Sequence, residues 1–417
     1  MLNPRSEWMY DWNLAAAPPI APGTRVLLND ETLRDGLQNP SVFDPSIEEK
    51  IEILHLMESL GIDSLNIGLP GAGPRAAAHS EALAREIANN RMRIRPNAAA
   101  RTVEADIRPI AEISQRAGIA IEAATFLGSS PIRRIVEDWT VEHLERTTEA
   151  AVKFAVSHNL PSMYVTEDTI RTDPETVKRL YSTAIRSGAR AIVLCDTVGH
   201  ATPEGAFNLV KFAVENIVKP SGEKVRVDWH GHNDRGLSIS NSIAAVMAGA
   251  DCIHGAANAL GERVGNTPME LMLVNLRLMG LIDRDLSRLK EYCEKVAKAT
   301  HTIIPPNYPV IGRDAFRTAT GVHAAAIIKA FRKGDASLAN IVYSGVPSHL
   351  FGLDQIIEIG PMSGKSNVLF WLERHQLPAD DSTVNRIFEA AKRSARVLTD
   401  DEVLALAKAE ASGPLRN

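Results

Sequence analysis

The chain has 417 residues, 45% hydrophobic and 23% charged, with a formal net charge of −5, the balance of a soluble protein with room for one large domain and a smaller one. No basic run interleaved with aromatics points to nucleic acid, and no apolar run is long enough to span a bilayer. Cys195, Cys252 and Cys293 stand at unrelated spacings, so they make neither a disulfide framework nor a zinc knuckle, which fits a reducing, cytoplasmic setting.

Residues 1–24 form an N-terminal extension. It carries Glu7 and Asp11 among its aromatics and lacks a signal-peptide pattern. Its Ala15-Ala16-Ala17-Pro18-Pro19 stretch reads as an extended arm laid across a partner subunit. From Arg25 to about residue 280, short apolar runs alternate with helical segments. The predicted strands are Val26–Leu28, Ser64–Gly68, Ile94–Ala99, Ala120–Phe126, Met163–Thr166, Ala191–Leu194, Val225–Asp228 and Cys252–Gly255. Ser46 and Glu49 make a capping box before a stripe of Ile47, Ile51, Leu54 and Met57, and Thr267-Pro268-Met269-Glu270 reads as a second capped helix start. Gly61, Gly118, Gly188 and Gly249 close helices in matching contexts. Eight such units predict a (β/α)8 TIM barrel over residues 25–280 in preference to an open doubly wound sheet.

Beyond residue 280 the alternation stops. Residues 281–417 read as a smaller, mainly helical accessory domain, with a helix from Leu286 to Lys298 and a Pro-rich linker at about 299–312. A helix from about Ala324, a loop at Tyr343-Ser344-Gly345-Val346-Pro347 and two further helical stretches follow.

Chemistry in such barrels collects where the strands end. The rim is crowded with charge and amide, whereas the opposite strand ends read as far plainer. His230 and His232, two apart on a strand, point to one face and can converge on one ion. An isolated histidine there is more often a core residue; the pair, with Asp35 from beyond the first strand and Asn266 from beyond the eighth, makes a divalent-metal site (Mn2+, Mg2+ or Zn2+) with open positions. Arg34 is placed to stabilise oxyanion charge, with a rim ion pair to Glu31 or Glu167 as its plainer role. Glu167 is placed to hold a proton or orient a water, with a pairing to Arg101 as the alternative. The glycine loop Gly261–Asn266 offers free amides as a seat for a carboxylate or phosphate. Cys195 and Cys252 read as packed thiols.

Asp30-Glu31-Thr32-Leu33-Arg34-Asp35-Gly36, His230-Gly231-His232-Asn233-Asp234 and Gly261-Glu262-Arg263-Val264-Gly265-Asn266 together resemble the DRE-TIM metallolyase superfamily. Ser129-Ser130-Pro131, Gly321-Val322-His323 and Ser363-Gly364-Lys365 extend the resemblance to its Claisen-condensing branch, the 2-isopropylmalate and homocitrate synthases of amino-acid biosynthesis. The resemblance implies an acyltransferase that condenses acetyl-CoA or another acyl-CoA with a 2-oxo acid and then hydrolyses the thioester. It implies Asp35, His230, His232 and Asn266 as metal ligands, Arg34 at the oxyanion, and Gln38, Arg101 and Thr197 on the substrate. His323 and Tyr343 match a pair that reaches the neighbouring subunit's active site, implying a domain-swapped homodimer.

Three departures stand out. Leu37 and Asn66 occupy positions where these synthases usually carry Glu, and the chain ends at Asn417 without a leucine-binding C-terminal domain, so that form of feedback control is not expected. Leu37-Gln38-Asn39 resembles hydroxymethylglutaryl-CoA lyase instead. The loop after the eighth strand lacks the cysteine those lyases carry and an accessory domain follows, which favours the synthase over the lyase, and the intact Arg34, Asp35 and His323 argue against a binding protein that has lost turnover.

Overall fold

The computed structural model describes residues 9–14, 20 and 23–409; the expected arm at Ala15–Pro19 lies outside the described residues. Eight parallel strands close into a barrel in chain order: β1 Leu27–Asp30, β2 Ser64–Asn66, β3 Arg95–Arg101, β4 Glu122–Gly128, β5 Ser162–Glu167, β6 Ala191–Asp196, β7 Arg226–Gly231 and β8 Cys252–Gly255. Closure is made by β1 on β8, with Leu27 beside Cys252 and Asn29 beside His254. Most strands run two or three residues further toward the rim than the apolar runs, because the backbone ladder continues through pairs such as Gly128 with Glu167 and Asp196 with Gly231.

Local signals act as their chemistry requires. The Ser46 side chain accepts from the Glu49 amide and Glu49 reaches back, completing the box before helix Ile47–Ser59. Of the expected stripe, Leu54 and Met57 are fully buried and Ile47 and Ile51 half-buried, with Ile53 and Leu56 completing the buried face. The four helix-closing glycines have φ of +70°, +69°, +115° and +106°, where a Cβ would strain the backbone. The second helix start differs from expectation. The helix begins at Met269 with Pro268 at its cap and no side-chain capping bond. The Thr267 hydroxyl is drawn instead to the Gly231 carbonyl and to Ser242.

The chain divides into two compact units, Met1–Ile303 and Ile304–Asn417. Although the alternation stops near residue 280, helix Leu289–Ala299 belongs to the first unit. Its Tyr292 is fully buried and donates its hydroxyl to Asp30 at the end of β1. Burial pushes the Asp30 carboxyl up to about 6 in spite of the donors from Thr32 and Tyr292. Tyr292→Phe should therefore cost about 2 kcal/mol at pH 8, as a buried acceptor loses its donor. The loss should shrink below about pH 6, where Asp30 takes up a proton and can itself donate; urea melts at pH 5 and pH 8 read both, and equal losses would dismiss the pH link.

The second unit holds helices Gly321–Arg332, Ala336–Ile341, Lys365–Arg374, Asp381–Arg393 and Asp400–Lys408, with a two-stranded parallel pairing of Arg317–Thr318 and Ile356–Ile357. Helix Lys365–Arg374 gives Phe370 to one apolar cluster and Val368, Trp371 and Leu372 to another. A Cβ on Gly321 would sit 2.7 Å from the Gly364 amide, so glycine at 321 lets these two segments meet backbone to backbone. No helix among the described residues is long and apolar enough to cross a membrane.

Candidate metal centre and active site

The end of β7 sets His230 and His232 on one face, and the turn after β1 brings Asp35 to them. Asp35 Oδ2 lies 3.2 Å from His230 Nε2 and 3.5 Å from His232 Nε2. The two Nε2 atoms are 3.3 Å apart. A cation bound at about 2.1–2.4 Å spaces neighbouring ligand atoms by roughly 3.0–3.4 Å, so this buried triangle fits a divalent ion. Asn266 pairs with His232 through an isolated bridge. Its amide nitrogen donates to the Leu260 carbonyl, while its buried Oδ1 has no hydrogen-bond partner. With this orphaned acceptor, on a residue bridged to His232, the N and O donors would make a set that suits a catalytic cation and not a structural zinc.

Charge states agree with that use. Burial raises the Asp35 carboxyl, but Arg34, His230 and His232 more than offset it and hold the group well below the carboxylate range. Burial, with His230 close by, pushes His232 down to about 4, leaving a neutral imidazole at pH 7. The loop that carries Asn266 depends on Gly265, whose φ is +92° and whose Cβ would lie 1.6 Å from the Ala259 carbonyl oxygen. Two of the amides in that loop are not free for an anion. The Gly265 amide donates to Glu262 and the Asn266 amide to Ala259, so both are consumed in closing the loop.

Arg34 takes the ion pair that the sequence offered as its plainer role. Its Nε and Nη2 both donate to Glu31 Oε2, at 3.0 and 2.6 Å. Its Nη1 has no carboxylate and points at Gln38 Oε1, 3.5 Å away. Pairing with Glu31 does not take Arg34 from the site, for Nη2 stays 3.9 Å from Asp35. Glu167, half-buried at the end of β5, has no side-chain hydrogen bond or ion pair among the described residues. Burial raises its carboxyl above the usual value, with Arg133 and Arg34 pulling the other way, as suits a group that holds a proton. Arg101 does not meet Glu167. It turns to Asp106, five residues on, with bonds of 2.7 and 2.9 Å. The Thr197 hydroxyl accepts from the Asp168 amide at 2.8 Å, and its carbonyl takes Arg263 Nη2, which ties together the loops after β5, β6 and β8.

His323 and Tyr343 lie on the surface of the second unit with their rings stacked at 4.0 Å. Asn66, 2% exposed, faces inward in register with Asn97, and its Oδ1 accepts from the Gly68 amide. The position where the resemblance expects an acid thus carries a neutral amide whose oxygen is satisfied. Cys195 and Cys252 are buried free thiols, both pushed up by burial, as packed thiols should be.

Sequence reading missed the interior. Below the rim, His254 lies between two carboxylates, with Nδ1 3.3 Å from Glu31 and Nε2 3.2 Å from Asp228. Burial opposes its charge, but Asp228 and Glu31 raise it far above an ordinary histidine. Asp228 is gripped by Arg226, which also reaches Glu122 at 2.9 Å. The far strand ends are therefore not plain. The signal available was Arg226-x-Asp228-x-His230, three polar side chains on the inward face of one strand.

The HMGL-like family pattern matches residues 25–296. A 2-isopropylmalate synthase of a Geobacillus species is 29% identical over 392 residues, spanning 92% of this chain and 73% of the relative. A homocitrate synthase of Methanothermobacter thermautotrophicus is 30% identical over 380 residues, spanning 89% of each chain. Among solved structures, an HMG-CoA lyase of Bacillus subtilis superimposes with a TM-score of 0.57 at 19% identity, over 68% of this chain and 96% of the lyase; at that identity the likeness shows the barrel alone. With a matching pattern over the whole barrel and a relative aligned along nine-tenths of both chains, the chain belongs to the HMGL-like family of DRE-TIM metallolyases.

Proposed function

We propose that this chain is an acyltransferase that condenses an acyl-CoA, acetyl-CoA first, with the ketone of a 2-oxo acid, then hydrolyses the thioester and releases CoA. The observation that carries the reading is the Asp35–His230–His232 triangle with the unpartnered Asn266 Oδ1 beside it, in a family whose relatives include synthases. These four residues would hold Mn2+, Mg2+ or Zn2+. When bound, such a cation supplies Lewis-acid polarisation of a carbonyl and a template for a chelating 2-oxo acid.

Arg34 presents Nη1, its nitrogen without a carboxylate, to the developing oxyanion, with Gln38 beside it. Glu167, raised by burial, holds a proton at the substrate end or orients a water. Because the Thr197 oxygen accepts from the Asp168 amide, its own proton is left to donate to a substrate carboxylate. Arg101 reaches that carboxylate only by releasing Asp106, so Thr197 carries the role in the present arrangement. His323 and Tyr343 are assigned to the active site of a second copy, in a domain-swapped homodimer.

The test is a panel of 2-oxo acids of increasing side-chain length, each mixed with acetyl-CoA and Mn2+, Mg2+ or Zn2+, with free thiol as the readout. Release of CoA that needs both substrates and stops on adding a chelator is the expected result. Silence across the panel overturns the reading, and cleavage of a 3-hydroxyacyl-CoA without a 2-oxo acid replaces it with a lyase.

A further inference from the structure

The file of buried charges under the rim does no chemistry in the reaction above, yet it ends on a group that does. Its signs alternate from the depth of the barrel upward, through Glu122, Arg226, Asp228, His254, Glu31 and Arg34, and each neighbour lies within 3.3 Å of the next. Glu31 is 2% exposed and fixed on three sides. Its Oε1 takes the Asn29 amide at 2.7 Å and faces His254 Nδ1, and its Oε2 takes both Nε and Nη2 of Arg34. Three groups in this region bring carboxylate, imidazole or thiol atoms close enough to share an ion. The two that include His254 carry no second metal, since each nitrogen of that ring faces a carboxylate and is committed to donating to it.

Arg34 is bonded through the chain to Asp35, a residue of the metal triangle. A guanidinium free to turn would fork onto the Asp35 carboxylate, the best partner within its reach, and compete with a cation for the same oxygen. Glu31 instead holds Nη2 at 2.6 Å and keeps it 3.9 Å from Asp35 Oδ2.

We propose that Glu31, braced by His254, is a positioning residue that keeps Arg34 off Asp35, so that Asp35 stays open to the metal and Nη1 alone is delivered to the substrate. The inference rests on the metal and Arg34 roles of the proposed function. Its metal arm needs no turnover.

The experiment is a double-mutant cycle on the full chain, with Mn2+ affinity read by calorimetry. Glu31→Gln alone should weaken Mn2+ binding by about 10-fold, within the range for residues that brace a ligand. In an Arg34→Gln background the same change should alter it by less than about 2-fold, because the competing guanidinium is gone. Equal losses in both backgrounds would make Glu31 a through-space or merely structural contributor and overturn the proposal, as would no loss in the wild-type background. Should Glu31→Gln fail to fold, His254→Gln removes the brace and should weaken Mn2+ binding in the same background-dependent way. A wild-type chain that binds Mn2+ but releases no CoA overturns the proposed reaction and leaves this cycle to decide the positioning role by itself.

Discussion

Replacing His232 with alanine should abolish stoichiometric metal binding and lower CoA release by about 10^3-fold or more, the equivalent of the several kcal/mol that a Lewis-acid cation contributes. The expectation follows from the triangle. His232 Nε2 lies 3.5 Å from Asp35 Oδ2 and 3.3 Å from His230 Nε2, so its loss removes one corner of the triangle and leaves Asp35, His230 and Asn266 facing a void. The metal-free fold should hardly notice. His232 Nδ1 has no hydrogen-bond partner to lose, and the residue stands at the rim and not in the apolar cluster of Met163, Val193 and Cys195 inside the barrel. The stability change of the metal-free protein should stay below about 2 kcal/mol. Metal analysis, thiol release and thermal melts of the metal-free variant read the three effects separately. Full metal content with full turnover would remove His232 from the site, and a collapse of the metal-free melt would make it a core residue.

The barrel was legible because its signals are local. A strand in a closed parallel barrel announces itself by a short run of three to seven residues between helical segments, and a helix closed by Gly118 or Gly188 announces its own end. The histidine pair was legible for the same reason, since a spacing of two fixes a shared face without knowledge of the partner strands. What stayed hidden depends on closure. Asn29 and His254 become neighbours only when β1 pairs with β8, so nothing near either residue shows that Glu31 will meet an imidazole. Tyr292 is 262 residues from Asp30, which is why the end of the first unit lay past the point where the alternation stopped. The failed cap at Thr267 has a related cause. Its hydroxyl had a local use and a tertiary one, and the Gly231 carbonyl at the end of β7 won. Arg101 shows the opposite case, for its partner Asp106 is only five residues away, a local pairing that sequence spacing alone could have offered.

Arg34→Gln should lower turnover by about 10^2 to 10^3-fold, the usual effect of removing a donor aimed at developing charge, and should also destabilise the protein by roughly 3 kcal/mol. The two losses have different origins and can be separated. The stability loss arises because Glu31, 2% exposed, keeps its charge but loses the guanidinium; His254 and Asn29 remain as partners, which holds the cost toward the lower end for a broken buried pair. Burial raises the Glu31 carboxyl, yet Arg34 and His254 together bring it down to about 2; without Arg34, burial pushes it back up, so the stability loss is largest at high pH and shrinks as the pH falls and Glu31 takes up a proton. Neutralising it as well, in Arg34→Gln with Glu31→Gln, should recover at least half of the lost stability, because the orphaned carboxylate is gone. Turnover should not recover, because nothing in the double variant restores a cation at Nη1. Lysine in place of Arg34 should behave like glutamine in turnover, since one ammonium cannot grip Glu31 through two nitrogens and offer a third. Urea melts and thiol release on the three variants settle the matter. If turnover returns together with stability in the double variant, Arg34 is a structural ion pair and the oxyanion has another partner.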